Sequence, residues 1–336
     1  MSTVAPAAAP PERARVAWLD LFRGAAVLGM IETHVVNTFL APGLREAAWF
    51  GWLNWFNGLI APAFLFIAGY AQGMGWRAQP MRRGAGGRKA KRLLGIAALG
   101  YALHFPWGEI AQQRWAEALR VGTQVDVLQC LAVALLGVLV VAWIFAEKRR
   151  RAGGLAALAG LGLGTILLAP FSAGWSVGPV PLAALVHART GSLFPLFPWA
   201  AFVFFGALAG AMEWRRTVWL LVAAAGVRVA ARLASDGTFS VLSPVFFGER
   251  LAWVLALAAL CQWIARVWTP RTVLFAGRES LVMYAAHLLI IAWVAQAGVP
   301  RGGFGVAGGA LIFGAVLAAT IAVAFAWAKW RARRAG

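Results

Sequence analysis

Acid is scarce in this chain: only 12 of 336 residues are Asp or Glu, beside four His and two Cys. Both cysteines, Cys130 and Cys261, sit inside apolar runs, which excludes a disulfide framework or a cysteine-ligated zinc site, and no metal is expected. Charged residues make up 13% and hydrophobic residues 61%, a balance that excludes an ordinary soluble domain. The shortage of acid leaves a formal net charge of +19. In a soluble chain that charge would point to nucleic acid. Here the Lys and Arg residues sit in short segments between apolar runs, as cytoplasmic loops of a membrane protein do, and no nucleic-acid partner is expected. Met1 to Arg15 is rich in Ala and Pro and lacks the apolar core of a signal peptide, so it reads as a disordered tail.

What the chain does have is long apolar runs and a mean hydropathy of +0.73. At roughly 20 residues per span, runs fall at 18–40, 51–74, 93–108, 121–145, 153–170, 193–212, 217–234, 250–268, 280–297 and 304–328. The expected fold is therefore all-α and polytopic, with about ten transmembrane helices in the cell (inner or plasma) membrane and the lipid bilayer as its surroundings. With the N-terminus inside, the inner segments hold 22 Lys or Arg and the outer ones seven, which puts both termini in the cytoplasm. The chain then divides into a cytoplasmic tail (1–16), a membrane domain (17–328) and a basic cytoplasmic tail (329–336). Self-association is left open.

The first run carries Asp20, Arg23, Glu32 and His34. A charge at mid-bilayer costs on the order of 3 kcal/mol, so such groups usually face a protein interior or a wet cavity. Arg23 and His34, eleven residues apart, fall within about 20° of one another around a helix and about 16 Å apart along it. Asp20 and Asn37 lie near that face, and Glu32 points elsewhere. A cation near one end and a titratable base deep inside suit the joining of a charged reagent on one side to an acceptor reached from the other.

In the second run, Asn57-Gly58 followed by Pro62 predicts a weakened or broken helix. Either the amides glue helices together or Asn57 contacts substrate. The segment from Arg77 to Arg92, with seven basic residues and Gly84, Gly86 and Gly87, is either a phosphate-holding loop or a topology anchor at anionic lipid heads. His104 reads as an interfacial histidine. Asp126 and Gln129, three apart, share a face; they form a helix cap, with Arg120 available to neutralise Asp126, or bind a polar acceptor. The loop from Phe171 to Ser192, with His187, shows no recognisable chemistry, and Asp236, Glu249 and Arg250 read as solvated loop charges or acceptor contacts. Ser280, Tyr284 and His287, spaced by four and three, form a second polar stripe. Two intramembrane histidines on two such stripes imply a shared polar chamber.

These residues also carry a family resemblance. Leu19-Asp20-Leu21-Phe22-Arg23-Gly24 with His34, Ala61-Pro62-Ala63-Phe64-Leu65-Phe66-Ile67-Ala68-Gly69, Val125-Asp126-Val127-Leu128-Gln129, Phe194 to Trp199 and Gly277 to His287 together resemble the transmembrane acyltransferase superfamily. Within it they are most similar to bacterial relatives of heparan-alpha-glucosaminide N-acetyltransferase. The resemblance implies an enzyme that takes an acyl group, commonly acetyl, from cytoplasmic acyl-CoA and delivers it to a hydroxyl or amine of a carbohydrate or glycolipid acceptor on the far side. Acetyl-CoA or another acyl-CoA would be the co-substrate. The lysosomal enzymes carry a histidine shortly before a Trp-Asn-Gly sequence. Here Trp52-Leu53-Asn54-Trp55-Phe56-Asn57-Gly58 has none, so the role of base passes to His34.

Acyl transfer from a thioester needs a base for the acceptor and a donor for the oxyanion. His34 suits the base, with His287 a second base or an orienting group. Arg23, paired with Asp20 or holding the CoA phosphates, suits the donor side, and Asn57, Asp126, Gln129, Ser280 and Tyr284 suit substrate contacts. A proton-coupled transporter or flippase using His34, His287 and Glu32 is the rival reading, although the paired broken helices of inverted repeats are missing. A third is a non-catalytic subunit whose polar residues only pack helices.

Overall fold

The computed structural model describes residues 16–78, 85–212, 217–235 and 240–335. Among these, the α-helices in chain order are α1 (Ala17–Phe39), α2 (Ala48–Asn57), α3 (Ile60–Ala78), α4 (Ala85–Leu103), α5 (Trp107–Ala111), α6 (Trp115–Gly122), α7 (Val127–Ile144) and α8 (Arg151–Ser172). Then come α9 (Val180–Val186), α10 (Leu196–Ala211), α11 (Thr217–Leu233), α12 (Pro244–Val267), α13 (Arg271–Arg278), α14 (Ser280–Gln296) and α15 (Val306–Ala335). No strand forms among the described residues; the nearest approach to one is a single parallel bridge between Leu40 and Phe304.

Each of the ten apolar runs overlaps a helix, and those at 51–74, 93–108 and 121–145 cross a break between two. Among the described residues, five helical stretches are long and apolar enough to cross a membrane: 48–78, 127–144, 151–172, 244–267 and 306–334. Helices α13 and α14 meet the same test only as a pair, bent by 87°, which makes them a broken span or a re-entrant loop. The protein is thus all-helical and multi-pass. Helix α1, at 23 residues, has the length of a span but carries Asp20, Arg23 and Glu32. The tail at 1–15, Arg82, Arg83, Gly84, Arg215, Arg216 and Asp236 lie outside the described residues. Gly86 and Gly87 stand in the first turn of α4, so that part of the basic segment is helix and not a glycine loop.

Local chemistry sets several boundaries. The second run is interrupted at Gly58 and Leu59, and Pro62 falls in the first turn of α3, where its missing N–H forfeits no helical bond. Asp126 and Gln129 form a capping box at the start of α7, satisfying N–H groups that a helix end leaves open. Ser243 caps α12, with Pro244 as its first residue.

Two close helix contacts fix the frame. On α3, Gly69 and Gly73 face the backbone carbonyls of Val203 and Ala207; on α10, Gly206 and Gly210 face those of Phe66 and Tyr70. No side chain fits at any of the four, and the two small-residue pairs, each four apart, let the backbones touch. In lipid, apolar surface alone does not drive helices together, so this contact relies on packing. Tyr70, Phe66, Leu65 and Phe202 are fully buried around it. Helix α1 packs on α13, α3, α12, α14 and α15. Gly24 and Gly277 mark its contact with α13, where the carbonyls of Val273 and Asp20 fill the space a side chain would need. At the other end of α1, Phe304 N–H donates to Phe39 O at 3.1 Å, Ala41 N–H to Phe304 O at 2.9 Å and Gly302 N–H to Thr38 O at 3.0 Å. The start of α15 is thereby stitched to the end of α1.

Candidate functional site

The polar stripes of α1 and α14 meet. The rings of His34 and His287 lie 5.3 Å apart between centroids, and Tyr284 and His287 5.6 Å apart in an edge-on arrangement. His34 opens onto a cavity of about 210 Å³ whose wall also includes Thr33, Asn57, Asp126, Phe194 and Tyr284. Five segments that are distant in sequence supply these groups: α1, the α2 to α3 break, the start of α7, the stretch before α10, and α14.

Asp126 is the centre of the polar wall. Its Oδ1 accepts the Val127 N–H at 2.7 Å, while Oδ2 accepts the Tyr284 hydroxyl at 3.1 Å. His104 Nε2 lies 3.3 Å from the same Oδ2. Its Nδ1 lies 3.1 Å from Gly100 O. Both ring nitrogens of His104 therefore face acceptors. Capping fixes the carboxylate's position and the second oxygen serves the cavity, so the cap and the acceptor contact are compatible. Arg120 approaches Glu117 at 4.0 Å and has no ion pair with Asp126 among the described residues.

His287 is fully buried and its Nδ1 lies 2.8 Å from Met283 O. A carbonyl can only accept, so Nδ1 carries the proton and Nε2 presents a lone pair. That Nε2 has no hydrogen-bond partner among the described residues. A buried unsatisfied acceptor costs stability and is rarely kept without reason.

Asn57 is bonded to Glu32 through its side chain, and it lines the His34 cavity as well. An amide carries two N–H donors, so one remains for a ligand. Gln129 is buried; its Oε1 accepts the Asp126 N–H at 3.2 Å and its Nε2 has no hydrogen-bond partner among the described residues. It does not line the cavity, and its visible work is the cap. Ser280 sits at the 87° bend and is likewise absent from the cavity wall.

At the N-terminal end of α1, Asp20 is buried and binds Arg23 at 2.5 Å and Arg278 of α13 at 3.5 Å. Two half-exposed guanidinium groups share one carboxylate, which leaves an excess positive charge there. Close by in the chain, Glu279 pairs with Arg331 of α15 at 2.6 Å. Glu249 pairs with Arg228 and Arg232, and Arg250 donates to Trp55 O at 2.9 Å, so both charges of that segment are engaged within the protein.

His104 is the site residue that sequence reasoning leaves out. A lone histidine near the end of a run gives no periodic signal, and the turn through α5 and α6 that returns the chain to Asp126 is not marked by apolar periodicity.

The family model for heparan-alpha-glucosaminide N-acetyltransferase, catalytic, matches residues 15–219, more than half of the chain. The matched segment contains His34, Asn57, His104 and Asp126, whereas Tyr284 and His287 lie beyond it. No curated protein sequence matches the chain.

Proposed function

Because the chain belongs to the heparan-alpha-glucosaminide N-acetyltransferase catalytic family, and so among transmembrane acetyltransferases, we propose that it moves an acyl group, acetyl in the first instance, from cytoplasmic acyl-CoA to a hydroxyl or amine of a carbohydrate acceptor reached from the far side. The observation that carries this reading is the convergence of His34, Asn57, Asp126 and Tyr284 on one cavity, with His287 directly behind His34.

The thioester is already activated, so the protein has to place the two reactants, take a proton and stabilise an oxyanion. His34 lines the cavity and takes the acceptor's proton as general base; an imidazole is the side chain whose ordinary range is nearest neutrality. The acceptor oxygen or nitrogen then attacks the carbonyl carbon, the C–S bond breaks, and the proton passes to the departing thiolate. Asn57 is the available donor for the oxyanion, since the Tyr284 hydroxyl is committed to Asp126. Asp126, held by Tyr284 and His104, orients the acceptor through its carboxylate. His287, its tautomer set by Met283 O, keeps a lone pair within the cluster as an orienting group or second base. Arg23 is about 16 Å from His34 by helix rise and serves the donor's phosphates together with Arg278, with Asp20 holding both guanidinium groups in place. Ten spans with both termini cytoplasmic complete the proposal and put Arg23 on the cytoplasmic side.

The test uses the purified full-length protein, acetyl-CoA and a panel of amino-sugar and glycolipid acceptors, with free thiol as the readout. Acceptor-dependent thiol release that disappears in a folded His34→Ala variant supports the reading. Absence of CoA binding and of turnover across several acyl-CoA donors rejects it in favour of transport.

A further inference from the structure

A second cavity, of about 350 Å³, lies on the other side of Asn57. On α1 it is lined by Phe22, Ala25, Gly29 and Glu32 among others, a helical face different from the one that bears Thr33 and His34. Phe56 of α2 and Leu257 of α12 close its sides. Glu32 is already bonded to Asn57, and nearly all the remaining wall is apolar. Beyond Glu32 and Asn57, which stand at its His34 end, such a lining leaves the polar groups of a sugar, a phosphate or the pantetheine amides without partners, and it suits a hydrocarbon chain. Asn57 and Ile60 wall both cavities, so a chain lying in this slot is one layer of side chains from His34.

Direction distinguishes which hydrocarbon. From Glu32 to Phe22 the slot follows α1 for about 15 Å toward the N-terminal end. With that end cytoplasmic, it runs from the level of His34 inward through the bilayer. An acyl tail on a donor arriving from the cytoplasm would extend the other way, past the thioester toward the far face. A lipid of the far leaflet has its headgroup at or above His34 and its chain pointing inward, along the slot. Ala25 and Phe56 are exposed, which opens the slot sideways to the bilayer.

We propose that the acceptor is lipid-anchored, with its hydrocarbon chain in this slot and its headgroup hydroxyl or amine at His34. The inference rests on the acyl-transfer reading. In the step itself the acceptor O–H or N–H gives its proton to the base, the oxygen or nitrogen bonds to the acyl carbon, and the C–S bond breaks. The thiolate then takes the proton and leaves as free CoA.

The test compares the methyl and decyl glycosides of 2-amino-2-deoxyglucose as acceptors for the full-length protein in phospholipid nanodiscs, with acetyl-CoA and thiol release. The decyl glycoside should show a KM at least tenfold below that of the methyl glycoside. Ala25→Phe grows a ring into the slot from an exposed position and touches no reacting group. It should raise the decyl KM toward the methyl value while leaving the methyl kcat/KM unchanged; partition into the bilayer alone would favour the decyl compound equally in both proteins. Equal KM values in the wild type, or a decyl KM indifferent to Ala25→Phe, overturn the proposal and leave acyl transfer standing. If neither glycoside yields thiol, acyl transfer is judged on the wider panel of donors and acceptors, and a decyl glycoside with a diazirine at its chain end still decides the slot. Labelling of peptides 22–32 and 53–63 that falls in Ala25→Phe supports it, and labelling spread over the lipid-facing helices overturns it.

Discussion

Tyr284 and Asp126, 158 residues apart in the chain, meet through a hydrogen bond of 3.1 Å from hydroxyl to carboxylate. That bond joins the start of α7 to the second turn of α14, and with them the segment covered by the family match to one beyond it. It also sets Asp126 to two tasks, helix cap and cavity wall, that substitution can separate.

Asp126→Asn keeps a capping side chain, whereas Asp126→Ala does not. The alanine variant should lose roughly 1 kcal/mol of stability from the cap, read as a lower Tm in detergent. The asparagine variant should hold its Tm within a degree or two and still lose at least tenfold in acceptor-dependent thiol release. Equal activity in wild type and Asp126→Asn would remove Asp126 from the site.

His34→Ala should lower kcat by about 100-fold or more, the usual worth of a general base, while CoA affinity measured by calorimetry stays unchanged. A large loss of CoA affinity instead would move His34 from the acceptor side to the donor side.

His104→Leu takes away one of the two side chains that hold Asp126 Oδ2. The acceptor KM should rise several-fold while the acetyl-CoA KM stays where it was. A change confined to Tm would reduce His104 to a structural role.

Arg23→Gln and Arg278→Gln each remove one of the guanidinium groups around Asp20. Each should raise the acetyl-CoA KM several-fold, and both variants should discriminate less between CoA and its 3′-dephospho analogue than the wild type does. Unchanged discrimination would place the phosphates elsewhere.

Gly206→Val drives a branched side chain onto the Phe66 carbonyl. Overpacking of this kind costs typically 1–3 kcal/mol and here meets backbone, which cannot step aside. The monodisperse fraction on size exclusion should fall sharply. Gly164→Ala, with open space at its Cβ, serves as the control and should behave as wild type.

Much of this arrangement can be read locally. Helical spacing alone puts Arg23 and His34 on one line and sends Glu32 to another face, and the structure has His34 at one cavity and Glu32 at the other. The Asp126 and Gln129 cap follows from their spacing, and the interruption after Asn57 from Gly58 and Pro62. Of the second stripe, Tyr284 lines the cavity, His287 stands off its wall against the His34 ring, and Ser280, at the bend, is absent from the wall. What local spacing leaves out depends on distant partners. His104 meets Asp126 only because α5 and α6 return the chain, and α13, bent by 87° from α14, packs on α1 where an inner loop is expected. The glycine pairs of α3 and α10 stand plainly in the sequence at 69 and 73 and at 206 and 210, yet nothing in either segment names the other as its mate.

The stitch between Phe304 and the end of α1 bears on how this protein can be cut. An expression fragment trimmed to residues 15–219 would carry His34 and Asp126 but lack Tyr284, His287 and the backbone clasp that fixes the far end of α1. The last third of the chain thus completes both the cavity wall and the seat of α1, and a fragment that ends with the family match lacks the two together.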